Sequence, residues 1–300
     1  MNTMQTMRKH NVLGLRGGAL VAVVALVWSS FAAAARAEHL VVPLSDPTKP
    51  AELEVSLVMG SIKVTGAATR EVVIEASSRS EKEHEMQKIE SQPADREGDR
   101  SGMRRIPNTA IGLEAEEEGN QVSISAQSWS RAVDLEIQVP VGSTVRLSTV
   151  NDGDIEVDNI DGEVEVSNTN GEIHVRNVRG PVSASTVNGD VTVVFRGAMV
   201  AAPMAFSTLN GDVDVTFPAD LKATVRLQSD NGEIYSDFDV DVTTETLRGN
   251  EEKKAKEKEK EKGRFHVIVS REMVGKINGG GPEILFKTFN GDVLLRRAKN

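Results

Sequence analysis

Glycines at positions 153, 162, 171, 180 and 189 stand nine residues apart, and each opens a short alternating strand. Self-similarity at a fixed period constrains a fold more tightly than composition does. Two phrases alternate along this stretch. The longer reads Ser-Thr-Val-Asn-Gly-Asp-Val; it runs from Ser148 to Ile155 with one extra residue, then from Ser167 to Ile173 and from Ser185 to Val191. The shorter is Ile160-Asp161-Gly162-Glu163-Val164, echoed by Val178-Arg179-Gly180-Pro181-Val182. The longer phrase returns from Ser207 to Val213, from Ser229 to Ile234 and from Lys287 to Val293, and the stretch from Leu57 to Val64 is an early relative.

Asn-Gly favours a tight turn because both residues tolerate positive φ. The second and fourth positions after each glycine are apolar: Ile155 and Val157, Val164 and Val166, Ile173 and Val175, Val191 and Val193, Val213 and Val215. Period two with β-branched residues predicts half-buried strands about five residues long. Two all-β architectures accommodate them. In a meander each nine-residue step reverses the chain. In a β-solenoid each step turns a corner, and two steps close a coil of roughly 18–22 residues. A solenoid stacks like phrases, which accounts for alternate phrases resembling each other more than neighbours do. The favoured reading is therefore a single-chain, β-helix-like solenoid with stacked Val and Ile columns as its core.

The N-terminus reads differently. Arg8, Lys9 and Arg16 precede a mostly apolar run from Gly18 to Phe31, and Ala35-Arg36-Ala37 offers small residues at a cleavage site. This predicts a secretory signal over residues 1–37, cleaved before Glu38, with an uncleaved anchor as the other reading. The β-repeat domain then occupies residues 38–300. No cysteine is present, so the exported chain depends on packing rather than disulfides and has no lipoprotein cysteine. No second apolar run of membrane-spanning length follows. The full chain carries a formal charge of −10. Removing the signal takes four basic residues and leaves 31 Lys+Arg against 45 Asp+Glu, a charge of −14. Such a surface disfavours nucleic acid and anionic membrane. Only 4% of residues are aromatic, which disfavours a stacking platform for sugars or bases.

Polar, aperiodic sequence interrupts the repeat at about 77–108 and 249–263, the second around Glu251–Lys262, EEKKAKEKEKEK. Both read as solvated insertions. Between them, Val133–Pro140 is a clean alternating strand. Taken in order, Gly60-Ser61-Ile62-Lys63-Val64-Thr65-Gly66, Asp134-Leu135-Glu136-Ile137-Gln138-Val139-Pro140, the Asn-Gly-Asp/Glu units and Lys276–Ile284 resemble the bacterial DUF4097 family. That family is a β-strand repeat domain labelled a candidate adhesin and related to autotransporter adhesin heads. The resemblance covers roughly residues 50–298. It implies an exported, solenoid-like β domain and supplies no catalytic residues.

The acid directly after the turn glycine is the sharpest chemical feature: Asp154, Glu163, Glu172, Asp190, Asp212, Glu233 and Asp292. Stacking of the long phrases would place Asp154, Glu172, Asp190, Asp212 and Glu233 in one column, neighbours ~4.7–4.9 Å apart. Like charges so close repel. Solvation, N–H bonds at the turn or a divalent cation such as Ca²⁺ would offset the cost, and the first two are the expectation. Those five acids are the metal candidates. The loop lacks the nonapeptide calcium repeat and the EF-hand pattern. Thr149, Thr186 and Thr208 are expected to bond along the stack. His39, His84, His174 and His266 are scattered, with His174 read as an exposed outward residue, and no H-E-x-x-H occurs. No catalytic or cofactor-binding residues are assigned. The chain reads as an exported, non-enzymatic scaffold at the periplasm or cell surface, with an envelope or surface protein or a glycan as partner. Open strand edges leave self-association available. The rival readings are a polysaccharide-active β-helix enzyme and a calcium-dependent surface protein.

Overall fold

The computed structural model describes residues 38–79, 112–126, 131–242 and 272–299. The signal segment and the second polar stretch lie outside the described residues, as does most of the first. The strands are, in chain order, β1 (Glu38–Pro43), β2 (Glu52–Leu57), β3 (Ile62–Ala67), β4 (Glu71–Ser78), β5 (Leu113–Glu118), β6 (Gln121–Ala126) and β7 (Val133–Pro140). Then come β8 (Thr144–Thr149), β9 (Ile155–Asp158), β10 (Val164–Asn168), β11 (Ile173–Val178), β12 (Val182–Ser185), β13 (Val191–Phe195) and β14 (Met204–Ser207). The last are β15 (Val213–Phe217), β16 (Ala223–Ser229), β17 (Ile234–Ser236), β18 (Val240–Val242), β19 (Glu272–Ile277), β20 (Glu283–Thr288) and β21 (Val293–Arg297). The expected boundary of the first polar stretch moves, because Ser77 and Ser78 complete β4, where they pair with Asp134 and Val133.

Strand direction decides between meander and solenoid. β8, β10, β12 and β14 pair in parallel in one sheet, and β9, β11, β13 and β15 pair in parallel in the other. A meander would make these contacts antiparallel. The chain is a two-sheet β-solenoid, each coil giving one strand to each sheet. Ile155 sits beside Ile173, Ile173 beside Val191, and Val191 beside Val213. Those steps are 18, 18 and 22 residues, the expected coil lengths.

Every apolar residue assigned inward by period two is buried, from Ile155 and Val157 to Val213 and Val215. The longer coils are filled by larger side chains. Phe195 stacks on Phe217 with ring centres 5.0 Å apart, and Phe206 lies 5.3 Å from Phe286. Burying each ring is worth ~1.5–3 kcal/mol.

Coil order in space is not chain order. One sheet runs β1-β4-β7-β3-β9-β11-β13-β15-β21-β17, and the other runs β18-β19-β16-β20-β14-β12-β10-β8-β2-β6-β5. The first coil, β2 with β3, lies between the β6–β7 and β8–β9 coils. The last coil, β20 with β21, lies between the β14–β15 and β16–β17 coils. At the two extremities pairing turns antiparallel: β1 on β4, β4 on β7 and β5 on β6 at one end, β16 on β19 and β19 on β18 at the other. The exception is β17, which pairs in parallel with β21 and is the outermost strand of the first sheet at that end, so that edge keeps unpaired strand groups among the described residues.

Candidate functional site: the Asn-Gly-Asp corner

The long phrase forms the corner leading from one sheet to the other, and each of its residues has one task, repeated from coil to coil. The Ser/Thr hydroxyl points inward and donates to the turn-glycine carbonyl of the neighbouring coil. Thr149 Oγ1 reaches Gly60 O at 3.1 Å, Thr186 Oγ1 reaches Gly171 O at 3.1 Å, Thr208 Oγ1 reaches Gly189 O at 2.8 Å, and Thr288 Oγ1 reaches Gly211 O at 2.9 Å. Ser229 bonds Gly291 O in the same way. The bonding expected of the three threonines along the stack is present. Asn168 takes the slot in the coil after the extra residue, its amide donating to Gly153 O at 2.9 Å.

The asparagines form an amide ladder. Asn170, Asn188, Asn210, Asn290 and Asn231 each donate from Nδ2 to the Oδ1 of the preceding rung, starting at Asn151, at 2.7–3.0 Å. Their backbone geometry departs from expectation. An Asn-Gly tight turn allows positive φ at both residues, yet at four corners only the glycine adopts it: Gly171, Gly189, Gly211 and Gly291, at φ 146–151°. Asn170, Asn188, Asn210 and Asn290 instead bridge one another in parallel. The corner therefore bends at glycine alone, and the asparagine continues the ladder. Glycine is also required by proximity. A Cβ on Gly211 would lie 2.2 Å from Gly189 O, and one on Gly291 would lie 2.0 Å from Gly211 O.

The acids complete the unit. Asp154 Oδ1 accepts the N–H of Glu172 at 2.8 Å, Asp190 Oδ1 that of Asp212 at 2.8 Å, Asp212 Oδ1 that of Asp292 at 2.7 Å, and Asp292 Oδ1 that of Glu233 at 2.8 Å. Turn N–H groups thus offset part of the charge repulsion, though the bond crosses to the next coil rather than closing a local turn. One oxygen of each aspartate is committed to the stack. The expected column needs one correction. Asp292 stands between Asp212 and Glu233, because β21 pairs with both β15 and β17.

The row also extends further toward the N-terminal end than the sequence suggested. Asp134 Oδ1 accepts the Ser61 N–H at 2.9 Å, so Asp134 and Ser61 are its first two members. Arg79 closes that end. Its guanidinium grips Asp134 with Nε and Nη2 at 2.8 and 2.7 Å and donates to Ser61 Oγ and Asp152 O. The hydrogen-bonded Asp134 carboxylate holds the Arg79 pKa above its ordinary value. The sequence signal for Asp134 was its place one residue before an inward Leu135, but no glycine precedes it.

The two long corners differ in charge. The Asn-Gly-Asp corner, over 149–154, 168–172, 186–190, 208–212, 288–292 and 229–233, holds Asp152, Asp154, Glu172, Asp190, Asp212, Asp292, Asp230 and Glu233 and no Lys or Arg. The opposite corner mixes signs. There Arg196 pairs with Asp161 at 2.7 Å and Arg179 approaches the same carboxylate at 3.6 Å, with Lys222 in the connection from β15 to β16.

His174 is half-buried rather than fully exposed. Its outward side chain lies in the row of Glu156 and Thr192, and its Nε2 is 2.9 Å from Glu172 Oε2. Among the described residues, no three His, Asp or Glu side chains converge as metal ligands. A shallow depression on the outer face of the first sheet brings Glu75 opposite Glu136, with Lys63 beside it. Its lining contains no aromatic ring to hold a sugar. Among the described residues no helix is long and apolar enough to cross a membrane.

Comparison with solved structures aligns 88% of this chain with all of a candidate cell-adhesion protein from Clostridium sporogenes, at 10% identity and TM-score 0.44. It also aligns 87% of the chain with 97% of a candidate adhesin from Bacteroides fragilis, at 10% identity and TM-score 0.37. At these scores neither likeness bears on function. No curated protein matches the sequence. The family model described as Toastrack DUF4097 matches residues 21–272, and with that span the chain belongs to the Toastrack DUF4097 family.

Proposed function

We propose that this protein is an exported, non-enzymatic β-solenoid scaffold that acts at the cell envelope or surface, in the manner of an adhesin, by presenting its Asn-Gly-Asp corner to a partner. The observation that carries this reading is the segregation of charge. The six Asn-Gly-Asp phrases of one long corner hold eight carboxylates and no Lys or Arg, with Arg79 bound at the Asp134 end of the row, while the other corner mixes the two signs. Stack hydrogen bonds fix four of those carboxylates, Asp154, Asp190, Asp212 and Asp292, so a partner meets charge already ordered and loses little entropy in aligning with it. Repetition also argues against catalysis. General acid–base chemistry on a glycan uses two carboxyl groups in different environments, and this row supplies near-identical ones.

The test pairs location with adhesion. Fractionation of the producing cells should place the mature chain outside the cytoplasm. Beads coated with residues 38–300 should bind envelope or host-surface preparations, and the triple substitution Asp190→Asn, Asp212→Asn, Asp292→Asn should abolish that binding. Asn keeps an oxygen to accept the stack N–H, so the variant should remain folded. Adhesion that survives the triple substitution would overturn the role of the corner. Release of soluble sugar from peptidoglycan or uronate polymers would overturn the non-enzymatic reading.

A further inference from the structure

Beside the amide ladder runs a second row, made by the residue just before each ladder asparagine. Backbone bonds fix its order. Asn170 N donates to Val150 O, Asn188 N to Thr169 O, Asn210 N to Val187 O, Asn290 N to Leu209 O, and Asn231 N to Phe289 O. The row therefore reads Val150, Thr169, Val187, Leu209, Phe289, Asp230. Its four large apolar members are solvent-exposed, Val150 at 44%, Val187 at 38%, Leu209 at 46% and Phe289 at 45%. Val187, Leu209 and Phe289 are consecutive rungs and form an unbroken apolar ridge. A turn position facing water has no folding reason to be apolar in coil after coil. Contiguous exposed apolar surface rimmed by polar groups marks a contact site.

Three residues further around the corner lies the acid row, with Asp190, Asp212 and Asp292 level with the ridge. No base occurs between the two rows. We infer that the corner receives an amphipathic α-helix of a partner protein, lying along the solenoid axis, with its apolar stripe on Val187, Leu209 and Phe289 and Lys or Arg on the flank facing the acid row. Spacing selects a helix. Rungs repeat every ~4.7–4.9 Å, and the turns of an α-helix repeat every ~5.4 Å. Over three rungs the mismatch is only about 1 Å. Same-face residues of an extended strand repeat every ~6.6 Å and fall out of step by the second rung. Charge selects basic residues, and Lys or Arg stems can lie over the ladder amides while their heads reach the carboxylates.

This inference rests on the corner being the interaction surface proposed above, and its test separates the two. The probe is an 18-residue peptide of Leu and Lys with leucines at helical period, compared with a peptide of identical composition in which they alternate. Binding to residues 38–300 is measured by calorimetry at about 0.01 M and about 0.3 M salt. The helical-period peptide should bind at least about tenfold more tightly than the alternating one, and the added salt should weaken it. Leu209→Ser with Phe289→Ser should reduce its affinity by about tenfold or more with the melting temperature unchanged. Asp190→Asn, Asp212→Asn, Asp292→Asn should flatten the salt dependence. Equal binding of both peptides, lost with the acids but indifferent to the ridge, would overturn the helical partner and leave the acidic corner standing. Absence of binding by the helical-period peptide at low salt would also overturn the helical partner. Binding indifferent to both sets of substitutions would overturn both readings.

Discussion

Four glycines separate the two reasons why the corner needs this residue. Gly142 has open space where a Cβ would stand and no left-handed φ; Gly197 has open space with φ at 55°. Gly153 lacks a left-handed φ, but its Cβ would meet Gly60 O at 2.0 Å; Gly211 combines φ at 151° with Gly189 O at 2.2 Å. Alanine at 142 should be neutral or stabilising by ~0.4–1 kcal/mol, through the unfolded chain. Alanine at 197 should cost ~1–2 kcal/mol in backbone conformation. At 211 the backbone term is ~1–3 kcal/mol, and the clash adds to it. Ordinary contact begins at 3.4 Å, so the coils must part by about 1 Å on a spacing of ~4.8 Å. That would stretch the bonds from Asn210 Nδ2 to Asn188, from Thr208 Oγ1 to Gly189 O and from Asp212 N to Asp190, each now 2.8 Å, past useful length. Losing three such bonds costs ~1 kcal/mol apiece, so Gly211→Ala should total ~4–6 kcal/mol. Gly153→Ala should fall between, at ~2–4 kcal/mol. Urea unfolding of the four variants reads these values directly. If Gly211→Ala proves no worse than Gly197→Ala, close approach of the coils is not what the corner glycine serves.

Thr288→Val keeps the shape of a fully buried side chain but removes the donor to Gly211 O; it should cost ~1–2 kcal/mol by urea unfolding, and Thr288→Ser should recover most of that. Melting residues 38–300 in EDTA and in millimolar Ca²⁺ should give one midpoint, because each stacked aspartate already gives one oxygen to a neighbouring N–H. An upward shift would instead identify the row as a cation site; ligand at 100 times its dissociation constant would supply ~2.7 kcal/mol. The Asp46 carboxylate, hydrogen-bonded by the Thr48 hydroxyl and flanked by Lys49, has its pKa lowered to about 2. A depressed folded pKa gives stability that is present above the unfolded value of ~3.9 and lost as pH falls through about 2. Carbon-13 titration should find that midpoint, and Thr48→Val should raise it.

The inward positions were legible in the sequence because alternation is a local property; Val164, Val166 and Val191 needed only their neighbours to be placed. The stacking of Thr, Asn and acid followed from the repeat period. What the sequence could not show is which copy of a phrase lies beside which. The phrase at Asn290 follows those at Asn210 and Asn231 in sequence, and only the path of the connections puts it between them. The same holds for Ser61, whose coil precedes Asp134 in sequence yet lies between Asp134 and Asp154 in space. The apolar ridge is illegible in the sequence for a different reason. One Val, Leu or Phe beside an Asn-Gly pair carries no periodic signal within its own strand, and the row exists only once the coils are stacked.

That interleaving changes what a terminal coil is worth. In an ordinary solenoid the last coil in sequence has one neighbour, and removing it frays the end. Here β20 pairs with β14 on one side and β16 on the other, and β21 with β15 and β17. Ending the chain at Gly281 would remove the buried side chains of Ile284, Phe286, Val293 and Leu295, worth together ~6–12 kcal/mol. It would also open a gap one coil wide between the β14–β15 and β16–β17 coils. That sum is comparable to the ~5–15 kcal/mol that stabilises a whole domain, so the truncated chain should lose cooperative unfolding. Excising β18, β19 and the stretch between them, with a short glycine linker in their place, removes strands from one end of one sheet. That variant should still unfold cooperatively at a lower midpoint. Circular dichroism during urea titration distinguishes the two. If the chain ending at Gly281 kept a cooperative transition and the excision variant did not, the last coil would be no keystone and stability would reside in the antiparallel cap.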